Sequence, residues 1–363
     1  MNIKEIAQLA GVSKTTASRA FSNPGLVKPA TLQRVMAIAK QHNFKPNAMA
    51  QAVASRKSGL IGFCLYNKSQ PYFGHTFFGP VLDGVVEWSK KFDYHVVLAT
   101  TDKIQDTFEE SFIEDSIEGA ILSTFMPAKM AAIFHSRGIP VVILNDEYDS
   151  PNTGCVVDDN YGGATTMMNF LINEHGYDDI AFVSNRLSHT SNMLRYIGYL
   201  DALKGHDLKP YDCPQLPDCD LLVNVREYNH LPLTQHGYKN IPRMGKPVII
   251  SELTSQIAYK EVQPLLNSRH RPRAIFCTSD TIAVGVIHAI RDRGLRVPQD
   301  IAVTGYDDID AATVCEPAIT TIAVNREGMG TAAVELLHSY IADPSQPSRT
   351  VCVGNKLVVR QST

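Results

Sequence analysis

From residue 60 onwards the sequence alternates short apolar runs with amphipathic segments, and this alternation restricts the chain to few folds. The apolar runs predict buried strands, and the segments between them repeat apolar residues at helical spacing. Such strand–helix–strand units build parallel sheets that bind ligands at the carboxyl ends of their strands. Because the rhythm restarts near Asp159, we predict two α/β lobes of parallel sheet with a cleft between them. The predicted strands are 60–65, 95–100, 119–124, 141–145, 155–157, 180–184, 248–251, 274–278, 301–306 and 320–323, and the predicted helices include 80–91, 130–136, 163–174, 195–204, 259–267 and 281–292.

Residues 2–23 carry a different pattern, in which two short helical segments meet at a turn. Helices are predicted over 3–10 and 15–21, and a third is predicted over 30–42. Gly11 lies in the turn, where we expect a small residue because the first two helices cross closely there. The spacing is typical of a helix-turn-helix in a small all-α head.

The exposed face of the second predicted helix is rich in hydroxyl and cationic side chains, namely Lys14, Thr15, Thr16 and Arg19. Such groups suit phosphates and base edges in the major groove of double-stranded DNA. Residues 1–58 hold nine Lys or Arg and a single acid, which leaves 25 basic and 36 acidic residues for the remainder. A basic head on an acidic body indicates a nucleic-acid partner for the head. The alternative is an ordinary helical hairpin with a solvated basic face.

Several other classes of protein are disfavoured by the sequence. It has no secretory signal and no apolar run near the roughly 18 residues of a membrane span, so we predict a cytoplasmic protein without a membrane partner. The seven cysteines lack metal-ligand spacing, so no metal and no cofactor is expected. The common catalytic and nucleotide-binding motifs do not occur, and we predict that the protein is not an enzyme. The competing class is a solute-binding protein that delivers its ligand to a transporter. The basic head argues against this class.

Seven ordered segments make the chain similar to LacI/GalR-type transcriptional repressors over almost its whole length. They are IKEIAQLAGVSKTTASRAFSN, TLQRVMAIAKQHNFKPNAMA, FFGPVLDGV, VVDDNYGGATTMMNFLI, RYIGYLDAL, RPRAIFCTSDTIAVGVIHAIRDRGLRVPQDIAVTGYDD and PAITTI. The resemblance implies a helix-turn-helix head, a hinge helix and a core similar to periplasmic sugar-binding proteins. It implies a head at 1–46, a hinge at 47–58, a first lobe at 59–160 with 323–346, and a second lobe at 161–322 with 347–363.

The resemblance also implies a function. Repressors of this family bind pseudo-palindromic operators as dimers, and a small molecule in the cleft changes their DNA affinity. We therefore predict a repressor of carbohydrate metabolism with a sugar or sugar derivative as effector. A nucleobase or nucleoside effector is the alternative. A homodimer is favoured over a tetramer because no heptad-bearing tail follows the core.

Family positions carry over to individual residues. On DNA, Lys14, Thr15 and Arg19 match base-reading positions, and the remaining contacts are predicted at Asn23, Asn47, Ala48 and Val53. The family usually has a wedging leucine where this chain has Val53, whose smaller side chain offers less apolar area to unstack a base step and kink the DNA. In the cleft, the resemblance predicts effector contacts at Arg195, Asp307, Ser279, Asp280, Asp159, Leu253 and Phe77.

Three of the effector positions leave alternatives open. Asp307 could instead cap a strand end, and Arg195 could form a salt bridge that closes the lobes. Leu253 stands where the family often stacks an aromatic ring on its effector, and Phe77 is one side chain that would replace that ring. An extra segment between residues 208 and 247 is interpreted as a surface loop, with a lid or an interface as the alternatives.

Overall fold

Three helices near the N terminus form a small unit with its own core. They are α1 (Ile3–Leu9), α2 (Lys14–Ser22) and α3 (Pro29–Gln41), with a 3-10 turn at Pro24–Leu26. Ile6, Ala10, Ala20 and Val35 pack together in their centre. The predicted three-helix head is confirmed. The structure is a computed structural model and describes residues 2–22, 24–42, 44, 58–66, 77–101, 117–123, 128–148, 150, 152–185, 187, 189–212 and 247–363.

The turn between α1 and α2 requires Gly11, but not for the reason expected from the sequence. Gly11 has a φ of +62°, a left-handed backbone angle that glycine adopts without steric cost. A Cβ at this position would meet no atom within 4 Å, so close helix packing does not demand a glycine here. The small buried residues of the two helices are instead Ala7 of α1 and Ala17 and Ala20 of α2. Ser13 caps α2 by accepting a hydrogen bond of 3.1 Å from the backbone N–H of Thr16.

The first lobe is a parallel sheet covered by helices. Its strands are β1 (Leu60–Tyr66), β2 (His95–Thr101), β3 (Gly119–Leu122), β4 (Val141–Leu144), β5 (Thr153–Asp158) and β11 (Thr350–Val353). Its helices are α4 (Phe78–Ser89), α5 (Ala128–Ser136) and α12 (Arg326–Ala342). Within the described residues the strand order is β11-β5-β4-β3-β1-β2, and neighbouring strands run parallel.

The second lobe repeats this architecture. Its sheet has the order β7-β6-β8-β9, formed by β6 (Ile180–Ser184), β7 (Val248–Ile249), β8 (Ala274–Cys277) and β9 (Ala302–Thr304). Its helices are α6 (Asn160–Asn169) with a π-helical turn at Phe170–Glu174, α7 (Thr190–Gly205), α8 (Ser255–Glu261), α9 (Gln263–Leu266), α10 (Asp280–Arg291) and α11 (Asp310–Val314). The predicted pair of α/β lobes is confirmed. Across the described ranges, no helix is long and apolar enough to span a membrane.

The last chain crossing between the lobes lies later than predicted. The sequence assignment gave 347–363 to the second lobe, whereas β11 pairs in parallel with β5 of the first lobe, in the register Thr350 to Cys155. The chain leaves that sheet at Gly354. It then forms β12 (Asn355–Val358), which pairs antiparallel with β10 (Thr321–Val324) in a separate two-stranded sheet. An edge strand this short and half-exposed carries little periodicity, which explains the error.

Helices α4 and α12 touch through glycines. A Cβ on Gly84 would clash with the backbone of Glu327, and a Cβ on Gly330 would clash with the carbonyl oxygen of Val81. We therefore expect Gly84→Ala to lower the free energy of unfolding by about 1–3 kcal/mol, measured by urea denaturation. Gly79→Ala on the same helix is the control, since its Cβ would meet nothing within 4 Å, and its effect should stay below about 1 kcal/mol. Equal losses in both variants would contradict this account.

Candidate effector cleft and DNA-binding face

An open cleft lies between the two lobes, with about 560 Å³ of free space that includes space open to solvent. Several of the polar residues that line the cleft lie just after the carboxyl ends of strands, which is where parallel sheets bind ligands. Phe77, Phe78 and Asn145 belong to the first lobe, and the remaining wall residues belong to the second. These are Asn185, His189, Ser191, Asn192, Arg195, Leu253, Thr278, Ser279 and Asp307. A cleft that combines apolar side chains with a few converging polar groups is typical of sites for small molecules.

Arg195 occupies the centre of this cleft. It lies on α7, and only 4% of its surface is exposed. Its Nε donates to Asn160 Oδ1 at 2.7 Å, and its Nη1 donates to the carbonyl oxygen of Thr278 at 2.5 Å. Its Nη2 donates to Asp307 Oδ1 at 3.4 Å, and the guanidinium stacks 3.5 Å from the ring centroid of Tyr306. The guanidinium is thus held in one orientation, with N–H donors still available to a ligand.

Two carboxylates lie beside the Arg195 guanidinium, and Arg326 also acts electrostatically on one of them, Asp307. Asp158 Oδ2 lies 3.8 Å from Arg195 Nη2 and accepts a hydrogen bond from the Tyr306 hydroxyl at 3.2 Å. Burial raises the pKa of Asp158, and Arg195 opposes that rise. Burial likewise raises the pKa of Asp307 to about 6, which Arg195 counteracts and the charge of Asp158 reinforces. Of the two carboxylates, Asp307 lines the cleft, where it can accept hydrogen bonds from ligand hydroxyl or N–H groups.

The backbone around Asp307 is strained. The backbone φ of Asp307 is +102° and that of Asp308 is +55°, angles that residues other than glycine rarely adopt. Such strain persists only where the surroundings enforce it, and it clusters at ligand sites. The strained backbone is therefore a second reason to expect that Asp307 faces a ligand.

Asn145 supplies a second acceptor in the cleft. It follows β4 directly, and its φ is +58°. Its Oδ1 is buried, and among the described residues it has no hydrogen-bond partner. A buried acceptor without a donor costs about 1–3 kcal/mol, so a ligand donor at this oxygen would be favourable.

The structure brings together most of the effector residues predicted from the sequence, but not all of them. Arg195, Asp307, Ser279, Leu253 and Phe77 line the one cleft. Ser279 also caps α10, since its Oγ accepts from the backbone N–H of residue 282.

Asp159 and Asp280 are not among the cleft residues, which corrects their assignment. The Asp159 side chain accepts from the N–H of Gly162 at 2.8 Å and caps α6. Asp280 is fully buried beneath the Asp307 turn, where it accepts from Thr321 Oγ1 at 2.6 Å and from the N–H of Ile309 at 2.9 Å. Both carboxylates satisfy backbone donors, so they serve the fold rather than a ligand.

Sequence reasoning missed part of the wall. The predicted helix 195–204 begins at Thr190 in the structure, so His189, Ser191 and Asn192 in its first turn were overlooked. Asn145 was included in a predicted strand, although a polar residue directly after a buried run is the signal that marks a strand end.

The candidate DNA-binding face lies on α2. Lys14, Thr15 and Arg19 are exposed there, as predicted. Thr16 is half-buried, and its hydroxyl lies 2.9 Å from Ser13 Oγ, so it helps to cap the helix. The predicted contacts at Asn23, Asn47, Ala48 and Val53 lie outside the described residues.

Comparison with known families agrees with both parts of the chain. Residues 2–47 match the family described as bacterial regulatory proteins, lacI family. Residues 58–227 match the periplasmic binding proteins and sugar binding domain of the LacI family, and residues 171–363 match a periplasmic binding protein-like domain. The chain belongs to the LacI family of bacterial regulatory proteins.

Curated LacI-family relatives cover nearly the whole chain. The "Probable HTH-type transcriptional repressor ExuR" of Bacillus subtilis is 27% identical over 364 residues, which is 100% of this chain and 98% of that protein. The ribose operon repressor of Haemophilus influenzae is 27% identical, covering 99% and 98%. The repressor PurR of Photorhabdus laumondii is 28% identical, covering 99% and 96%. These relatives are transcriptional repressors, which confirms the prediction that the protein is a regulator and not an enzyme.

Solved structures of LacI-family proteins share the fold. The lac repressor dimer bound to operator and the anti-inducer ONPF aligns with a TM-score of 0.74 at 21% identity, covering 100% of this chain and 99% of that one. The transcriptional regulator CelR in complex with cellobiose aligns with a TM-score of 0.67 at 23% identity, covering 100% of both chains.

Proposed function

We propose that the protein is a LacI-family repressor that binds a palindromic operator as a homodimer, and that a sugar-like effector in the interlobe cleft sets its DNA affinity. The effector part of the proposal rests on three groups of one cleft. Arg195 and Asp307 form a buried pair, and the cleft is also lined by Asn145, whose buried Oδ1 has no hydrogen-bond partner among the described residues. An arginine fork, a carboxylate and amide groups together satisfy several hydroxyls of one small molecule.

The apolar part of the cleft suits the carbon face of such a ligand. Phe77 and Phe78 form an edge-to-face pair with ring centroids 5.2 Å apart, and both line the cleft opposite Leu253. The rings of Phe77 and Phe78 offer the aromatic surface that Leu253 does not supply. A ring of carbon atoms with hydroxyls at its edge would contact this surface and the polar wall at once.

A nucleobase or nucleoside is the second candidate class of effector. The same Asn145 oxygen and Asp307 carboxylate would accept from ring N–H and exocyclic amino groups. The name of the relative called ribose operon repressor agrees with the first class, a sugar.

Regulation would follow from a population shift. If the lobes adopt two arrangements and only one spaces the paired heads for the operator half-sites, an effector that prefers one arrangement changes DNA affinity. The direction of this change depends on which arrangement the effector prefers.

A ligand panel tests the effector class. Thermal transitions are measured with D-ribose, D-galactose, D-glucuronate, cellobiose, adenosine and guanine, for the wild type and for Asp308→Asn. A ligand at about 100 times its Kd stabilises the folded state by roughly 2.7 kcal/mol, which raises Tm by several degrees. We expect such a shift with at least one sugar in both proteins, because Asp308 bonds Arg360 rather than lining the cleft. A shift with only adenosine or guanine would replace the sugar with the second candidate.

Arg19→Ala tests the DNA-binding face. Because Arg19 is exposed on α2, we expect this variant to lose about 1–3 kcal/mol of preference for the operator over random DNA, measured by fluorescence anisotropy at fixed salt. The operator is the duplex that the wild-type protein selects from a random pool. Arg34→Ala, which removes the same charge from exposed α3, is the control and should weaken both duplexes equally. Equal losses on both duplexes for Arg19→Ala would assign Arg19 to a phosphate.

A further inference from the structure

Two links join the turn that carries Asp307 to the first lobe: the Tyr306 hydroxyl bonds Asp158 of β5, and Arg326 of α12 bonds Asp308. Arg326 is the first residue of that helix, and its Nη2 donates to the carbonyl oxygen of Asp308 at 2.8 Å. Asp308 directly follows Asp307, and both have positive φ angles. Any ligand that moves Asp307 therefore moves the carbonyl group that Arg326 holds.

The same turn is attached separately to the second lobe. The backbone N–H of Asp280 donates to the carbonyl of Tyr306 at 2.8 Å, and its Oδ2 accepts from the N–H of Ile309 at 2.9 Å. Arg360 donates to Asp308 Oδ1 at 2.7 Å and to the carbonyl oxygen of Ile319 at 2.9 Å. The turn thus has anchors on both sides of the cleft.

Arg326 sits at a chain crossing between the lobes. The chain leaves β10 at Val324 and enters α12 at Arg326, with Asn325 as the helix cap. Helix α12 packs so closely on α4 that neither Gly84 nor Gly330 has room for a Cβ. Because packing this close resists sliding, a displacement of Arg326 moves the two helices together.

We propose that Arg326 is a positioning residue that couples occupation of the cleft to the arrangement of the lobes. Its hydrogen bond crosses from the first lobe to the residue next to Asp307, so a rotation of the lobes about the crossing changes the Arg326–Asp308 distance. An effector that fixes Asp307 then favours the arrangement in which this bond is made, and by linkage the DNA affinity changes with it. This inference rests on the proposed function.

The experiment measures the coupling factor, which is the ratio of operator Kd values with and without saturating effector. The probe is the sugar that gives the largest thermal shift in the panel above. Wild type is compared with Arg326→Gln and with the control Arg360→Gln. The control also removes an arginine bonded to Asp308, but this arginine contacts the carboxylate, so the bond from Arg326 to the Asp308 carbonyl oxygen is kept. We expect Arg326→Gln to reduce the coupling factor about tenfold, and Arg360→Gln to leave it unchanged within about twofold. Arg326→Gln should still bind the sugar in the absence of DNA, since its side chain does not line the cleft.

The outcomes separate the inference from the function on which it rests. If the wild type shows no coupling, the proposed function fails. If the wild type shows coupling and Arg326→Gln retains it, or both variants lose it equally, the role of Arg326 is overturned. Should Arg326→Gln not fold, Arg326→Met replaces it, and the same loss is expected because methionine keeps a long side chain but donates no hydrogen bond to the Asp308 carbonyl oxygen.

Discussion

Replacing Arg195 with methionine is expected to lower the free energy of unfolding by about 3–5 kcal/mol at pH 7.5, measured by urea denaturation. The change leaves Asp158 and Asp307 facing each other in a buried site without their shared cation. Removing one member of a buried ion pair costs this much because the remaining charge has lost its solvent and its partner. The stacking of the guanidinium on Tyr306 is lost as well.

An exposed ion pair provides the control for Arg195. Arg296 lies 3.2 Å from Asp300 at the surface, where 71% of its side chain is exposed, so Arg296→Met should leave the stability close to that of the wild type. Acid should reduce the cost of Arg195→Met, because protonation of the two carboxylates removes the unpaired charge. A loss that is equal at pH 5 and pH 7.5 would mean that Arg195 stabilises the fold through packing and not through charge.

The second large effect is expected for Asp307→Asn, which should weaken binding of the panel sugar by about 10- to 100-fold. Asparagine keeps the shape but removes the charge, and a hydrogen bond to a charged acceptor contributes about 1.5–3 kcal/mol. Isothermal titration measures the change. Asp308→Asn, which removes the neighbouring charge outside the cleft, should bind the sugar as the wild type does.

The raised pKa of Asp307 gives this prediction a pH signature. In the wild type, sugar affinity should fall as pH drops through about 6, because the protonated carboxyl has lost its charge, and Asp307→Asn should lack this step. The free energy of unfolding of the sugar-free protein should change in the opposite direction and rise as the pH drops. A carboxyl whose pKa is higher folded than unfolded contributes stability below its unfolded value, near 3.9, and this contribution is lost as pH rises through about 6.

These two trends separate a ligand site from a structural cap. If Asp307 binds a ligand, Asp307→Asn should be at least as stable as the sugar-free wild type at pH 7.5 while losing affinity. If the residue only capped a strand end, the substitution would lower stability and leave affinity unchanged. That second result would return Asp307 to the alternative role that its sequence position also permits.

Much of the architecture was predictable because it depends on local pattern. Apolar runs bounded by polar residues mark the strands of both lobes, and Gly11 with Ser13 marks the turn of the head. These signals work because a buried strand and a helix cap each impose their requirement on a few consecutive residues. The strand β11 escaped prediction because it is short and half-exposed, so its partner β5 rather than its own sequence gives it a place in the sheet.

The sequence by itself determined the two-part plan of this protein, its basic head and the approximate position of the cleft at the strand ends. Only the tertiary structure decided which polar residues reach that cleft. Asp280 and Asp307 both follow strands as acidic residues, yet Asp280 turns inward to backbone donors while Asp307 faces Arg195. The reason is physical: a carboxylate binds whichever donors lie within about 3 Å, and those donors come from segments far away in the chain.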